Sequence, residues 1–260
     1  MPSPDSLIAS YAEYLLARHK NACRQFLNRP REAQLAEAVV FSILQGKGAK
    51  PELADQDGGP DFLCADGKFV VEATAFTIDK VVADSRVPND LPGEMGAHAY
   101  RNLTREISER AVKKHSQLSV SKPGVLAIVC DHAIAILLFG TDVAQFLVTS
   151  EPFWLVDKDE PVVDLSLSAF LRLEPDGTIT PYNRNISAVI LVAVTNDASY
   201  LCGALHPHPE HRFDSSVLYE VPFVYTKDWP IEKRIRCTWT MGTNPRPLRI
   251  EHRSVRYNGR

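Results

Sequence analysis

The sequence predicts an α/β fold in which a central mixed β-sheet is flanked by helices. Three observations carry this expectation. Asp66-Gly67 sits between two apolar, β-prone runs, a pattern that signals a tight hairpin. Val125–Cys130 and Ile186–Val194 are continuously apolar, as strands buried on both faces are. Segments with apolar residues at helical spacing lie before and between these strands.

The elements follow in order. Ser3-Pro4-Asp5 reads as an N-cap and helix start. Leu7, Ile8, Tyr11, Tyr14, Leu15, Ala22 and Phe26 then recur at helical spacing. A second helix is expected from Pro30 to Gln45, ended by Gly46, with an apolar stripe of Leu35, Ala38, Val39 and Ile43. Glu37 lies outside that stripe and reads as a solvated helix acid. A short edge strand is expected around 51–54, followed by the hairpin. Residues 77–96 hold Pro88, Asn89, Pro92, Gly93 and Gly96 and read as a long irregular arm, a lid or substrate contact. A helix over 98–117 follows, carrying Arg101, Arg105, Arg110, Lys113 and Lys114. Usually such charges form a solvated face, here balanced by Glu106 and Glu109. Pro123-Gly124 leads into the strand 125–130, and Thr141-Asp142 caps a short helix to Thr149. Residues 162–173 fit a helix or an irregular strand, 186–194 a buried strand, and the C-terminus loops and short strands.

The hairpin carries the chemistry. With Asp66 and Gly67 as turn residues, Ala65 faces Lys68, Leu63 faces Val70 and Asp61 faces Glu72. Facing residues hold their Cβ atoms roughly 4.5–5.5 Å apart, so two carboxylates stand side by side on a sheet apolar on both faces. Two unit charges about 5 Å apart repel by on the order of 3 kcal/mol at an effective dielectric near 20. Protonating one acid relieves this, and so does a hard divalent cation with oxygen ligands. A hairpin end open to water, with two solvated acids, is the remaining alternative.

Pro60-Asp61, ten intervening residues and Glu72-Ala73-Thr74 resemble the signature of the PD-(D/E)XK phosphodiesterase superfamily. The resemblance implies a restriction-endonuclease-like α-β-β-β-α-β core over about residues 31–150. It implies Mg2+ (or Mn2+) held by Asp61 and Glu72, with the backbone carbonyl of Ala73 as a further ligand. The metal would acidify a bound water and stabilise the charge of a phosphorane-like transition state. A helix before the hairpin often supplies another acid in this family, and Glu37 is the candidate here. The motif lysine is replaced by Thr74, which could orient a water but brings no positive charge. Lys68 shares the Glu72 face but lies four residues away, about 13 Å at roughly 3.4 Å per residue, and cannot substitute. Lys113 or Lys114 could reach in from the following helix, and Arg101 and Arg105, four apart on one face, could hold phosphates.

Bulk properties set the frame. At 260 residues the chain suffices for one large domain or a domain with an appended lobe. The division expected is an N-terminal helical segment 1–30, a nuclease-like core 31–150, and a C-terminal extension 151–260 that completes the sheet. A net charge of −3 gives no global nucleic-acid signature. From Lys227 onward, nine basic residues stand against three acids, which suits a phosphate backbone or a solvated tail. Five cysteines, odd in number and with no CxxC pair, point to a reducing cytoplasm. No secretory signal opens the chain, and the most apolar stretch, Val125–Phe139, is too short to span a bilayer. Cys202, His206, His208 and His211 fit no zinc-finger spacing and read as a surface loop rich in histidine.

Two functions stand open from sequence. One is a metal-dependent phosphodiesterase, with DNA expected before RNA and a homodimer compatible with it. The other is a degenerate nuclease fold that binds nucleic acid or a protein partner without cutting. Whether a cation reaches the place of the absent lysine discriminates between them.

Overall fold

The computed structural model describes residues 3–54, 59–77, 96–118, 121–132, 135, 139–150, 165–227, 229–230, 235–243 and 245–252. The α/β expectation holds: helices flank a mixed sheet of nine strands among the described residues.

The N-terminal helical run divides in two, α1 (Pro4–Arg18) and α2 (Lys20–Leu27), because His19 leaves helical geometry at φ −138° and ψ 67°. Ser3 caps α1 by accepting from the Ser6 N–H. Helix α3 (Arg31–Gly46) follows and is buried nearly all round. It packs against α1 on one side and the sheet on the other. This corrects the reading of Glu37 as a solvated acid. Although it lies off the apolar stripe, α1 covers that side and leaves Glu37 buried.

Strands β1 (Glu52–Leu53), β2 (Phe62–Cys64) and β3 (Phe69–Ala75) form an antiparallel set at one edge of the sheet. The pairing Phe62↔Val71, Leu63↔Val70 and Cys64↔Phe69 is the register that the Asp-Gly turn predicts. The turn is looser than a two-residue one. Ala65, Asp66 and Gly67 all have positive φ, and Cys64 O accepts from the N–H groups of both Gly67 and Lys68.

Helix α4 (Gly96–Lys114) and a 3-10 turn (His115–Gln117) lead to β4 (Gly124–Cys130), parallel to β3. Of the irregular arm expected over 77–96, residues 78–95 lie outside the described residues, and Gly96 already belongs to α4. Helix α5 (Thr141–Thr149) precedes a two-stranded ribbon of β5 (Leu171–Leu173) and β6 (Ile179–Pro181). Strand β7 (Ile186–Val194) is buried throughout and parallel to β4. Strand β8 (Ala198–Leu205) turns back against it, and β9 (Phe223–Thr226), β10 (Cys237–Trp239) and β11 (Leu248–Glu251) complete the sheet. Strands from 52–130 and from 186–251 thus share one hydrogen-bonded layer.

Side chains of β3 alternate between two cores, as a pleated strand requires. Phe69 and Val71 join the cluster built on α1, α2 and α3. Val70 joins the cluster of Leu103, Ile107 and Ala111 on α4 with Val143 and Leu147 on α5. Glu72 and Thr74 therefore belong to the α4 side. No helix among the described residues is long and apolar enough to cross a membrane.

Candidate active site

One step beyond the last hairpin pair, Phe62↔Val71, Asp61 stands beside Glu72. Its position is locked by the backbone. The N–H of Ala73 donates to Asp61 Oδ2 at 2.7 Å, and the Ala54 N–H donates to Asp61 O at 3.0 Å. The Asp61 and Glu72 carboxyl groups lie close enough for each to influence the other's ionisation.

A cation does reach this pair. Lys114, in the last turn of α4, places Nζ 2.7 Å from Glu72 Oε1. One turn earlier, Arg110 shares that helical face. Its Nη1 donates to the Ala75 carbonyl, and its guanidinium lies 5.1 Å over the Phe76 ring. Two side chains four residues apart therefore fasten α4 along β3, and the second delivers an ammonium to the carboxylates. Lys113 and Arg105 are exposed on the same helix. The Arg101 side chain lies outside the described residues. Thr74 is buried on the Glu72 side of β3.

On the opposite side, Glu37 extends the charge array. Tyr11 donates its hydroxyl to Glu37 Oε1 at 2.9 Å, and Arg29 Nη1 donates to Glu37 Oε2 at 2.5 Å. The same Arg29 nitrogen is 3.9 Å from Asp61 Oδ1. The order across the site is Tyr11, Glu37, Arg29, Asp61, Glu72, Lys114. Its acids are well covered, with 4% of the Glu72 side chain and 17% of Asp61 exposed, while Lys114 keeps 29% and Arg29 45%. Nothing in the sequence pointed to Arg29 or Tyr11. Tyr11 lies on α1 and Arg29 in the turn between α2 and α3, and both meet the hairpin only through tertiary packing.

Burial sets the protonation state. It pushes Glu72 up to about 7, aided by the neighbouring Asp61 and opposed by Lys114. Glu37 is likewise raised to about 7 by burial and by Asp61, against the pull of Arg29 and Tyr11. Asp61 is raised by burial and held back by the Ala73 N–H, Arg29 and Lys114.

The donors suit a hard divalent cation. Asp61 and Glu72 offer carboxylate oxygens, and their mutual influence, by which Asp61 raises Glu72, is relieved by positive charge placed between them. No group of three or more His, Cys, Asp or Glu side chains gathers as a metal-binding set among the described residues. An ion here would rely on two carboxylates, a backbone carbonyl and water, and Mg2+ usually keeps several waters.

The histidine segment is more buried than a surface loop. Cys202 and His206 are buried; burial pushes the Cys202 thiol up to about 12 and His206 down to about 4. His206 bonds the Tyr182 carbonyl and the His208 N–H, and His208 stacks on Trp229 with ring centroids 4.9 Å apart. In the basic C-terminal region, Arg249 pairs with Asp197 and Glu251, and residues 253–260 lie outside the described residues.

No family model matches this chain, and no curated protein or solved structure matches it either.

Proposed function

We propose that the chain is a metal-dependent phosphodiesterase acting on DNA, a PD-(D/E)XK-like nuclease whose lysine comes from a helix instead of the motif strand. The observation that carries this reading is the 2.7 Å contact between Lys114 Nζ and Glu72 Oε1, beside Asp61. It brings a positive charge to the carboxylate that Thr74 cannot serve, and it favours a working site over a degenerate binding module.

Asp61 and Glu72 would hold Mg2+ or Mn2+, with the Ala73 carbonyl as a further oxygen ligand. The bound metal supplies Lewis acidity, making a nucleophilic water available at neutral pH and stabilising charge on the phosphoryl oxygens. The chain's own groups do the rest. The Ala73 N–H holds Asp61 in place through Oδ2. Lys114 favours the ionised form of Glu72, and its ammonium is positioned to hold an attacking water by a hydrogen bond. The Thr74 hydroxyl, two residues along the same strand, offers a second polar contact. Burial strengthens each of these interactions relative to water.

The test is incubation of plasmid, linear duplex and single-stranded DNA with Mg2+ or Mn2+. Wild type should cleave at least one substrate, and Asp61→Ala and Glu72→Gln should not. Absence of cleavage by wild type with both metals removes the DNA-nuclease reading.

A further inference from the structure

Building on that reading, we infer that Arg29 is the residue that grips the substrate phosphate, with Glu37 and Tyr11 serving to position it. Arg29 uses one N–H of its Nη1 on Glu37 and has no other side-chain donation among the described residues. A guanidinium carries five N–H donors, so four remain. They surround a side chain that is nearly half exposed, 3.9 Å from the outer oxygen of a proposed metal ligand. A phosphate bound against Asp61 would meet the planar fork that Arg presents to phosphate oxygens, a geometry Lys does not share.

Neutralising Glu37 does not by itself account for this arrangement. Tyr11 already satisfies Glu37 Oε1, and a guanidinium serving only as a counter-ion would be expected to close on Asp61 as well. Here Glu37 holds it 3.9 Å away from Asp61, outside hydrogen-bond distance. The result is a cation on each flank of the buried carboxylates, Arg29 from the α2–α3 turn and Lys114 from α4. Lys114 is assigned to Glu72 and the attacking water, and the more exposed Arg29 is the arm that a phosphate would meet.

The experiment measures binding of a labelled DNA duplex by fluorescence anisotropy over a range of salt concentrations. It uses Ca2+, which takes the same oxygen ligands, and cleavage is followed separately with Mg2+. Because Arg29→Ala alone would strand a buried Glu37, the decisive variant is Arg29→Ala combined with Glu37→Gln, with Glu37→Gln as its control. Loss of one phosphate contact should make the slope of log K against log salt shallower by about 0.9 relative to the control. Arg29→Lys should keep the slope but raise KM for cleavage more than it lowers kcat. An unchanged slope in the double variant, or no binding by wild type, overturns the inference. A changed slope without cleavage by wild type would uphold Arg29 while removing the nuclease reading. Cleavage by wild type with an unchanged slope would do the reverse.

Discussion

The Ala73 N–H donates to Asp61 Oδ2 at 2.7 Å, tying the residue before β2 to the strand that bears Glu72. The like-charge pair is therefore also a structural joint, and its two roles can be separated. Asn at position 61 retains an acceptor for the Ala73 N–H and can donate to Glu72. In metal-free buffer, Asp61→Asn should stay within about 1 kcal/mol of wild type, relief of repulsion offsetting the weaker neutral bond. Asp61→Ala leaves the N–H without its partner and should cost about 1–3 kcal/mol. Urea unfolding in the presence of a chelator reads both values, and equal stabilities for Asn and Ala would contradict the joint.

Lys114 and Thr74 should be exchangeable in part. Lys114→Ala should reduce metal-dependent cleavage by about 10²–10³-fold, the range associated with loss of one preorganised hydrogen-bond donor. Thr74→Lys alone should lower activity, because a second ammonium would crowd the one on Glu72. Thr74→Lys in the Lys114→Ala background should recover part of the loss, since position 74 shares the Glu72 side of β3. Cleavage rates of the four proteins at saturating Mg2+ form the cycle. Full activity in Lys114→Ala would end the assignment.

Metal-free protein should be more stable at pH 5 than at pH 7.5. Glu72 and Glu37 are both raised to about 7 by burial. Between the ordinary carboxyl pKa, about 4.3, and 7, the folded state binds more protons than the unfolded one. Stability therefore falls as pH rises through that window, by on the order of 2–3 kcal/mol for such a group. Glu72→Gln should flatten the Glu72 part of the slope. Mg2+ or Mn2+ should raise Tm chiefly at the upper end, where the carboxylates are ionised, because a ligand of the native state stabilises it by mass action. Tm scans with chelator and with metal, at both pH values, test the sign. A metal-induced shift that is the same in wild type and Glu72→Gln would exclude the site.

The elements legible in the sequence were those whose signals are local. Asp66-Gly67 set the register of β2 on β3, and the apolar runs marked β4 and β7, because turn chemistry and burial on both faces leave a pattern within a few residues. Helix α3 announced itself by the spacing of its apolar stripe, and Thr141-Asp142 marked the start of α5, although Thr141 is already helical, Gly140 is the cap residue and no side chain bonds there. Glu37 misled because a single helix shows which side is apolar but not what covers its polar side, and here that cover is α1. Lys114 could be shortlisted with Lys113 but not chosen. The choice depends on the docking of α4, set by Arg110 and the Leu103, Ile107 and Ala111 face. Arg29 left no sequence signal, since it lies outside the helical stripes and meets Asp61 only after three helices have packed.

The separation along the chain of the groups at Glu72 has a consequence for how the protein matures. Asp61 and Ala73 are 12 residues apart, and a hairpin of that size can close early and locally. Lys114 is 42 residues from Glu72 and arrives only when α4 docks and β4 pairs with β3. Contacts of such long range form late, because loop closure costs entropy before any packing repays it. A chain still emerging from synthesis would thus hold both acids without the ammonium on Glu72. On the proposed nuclease reading, the site would gain its lysine only with completion of the fold.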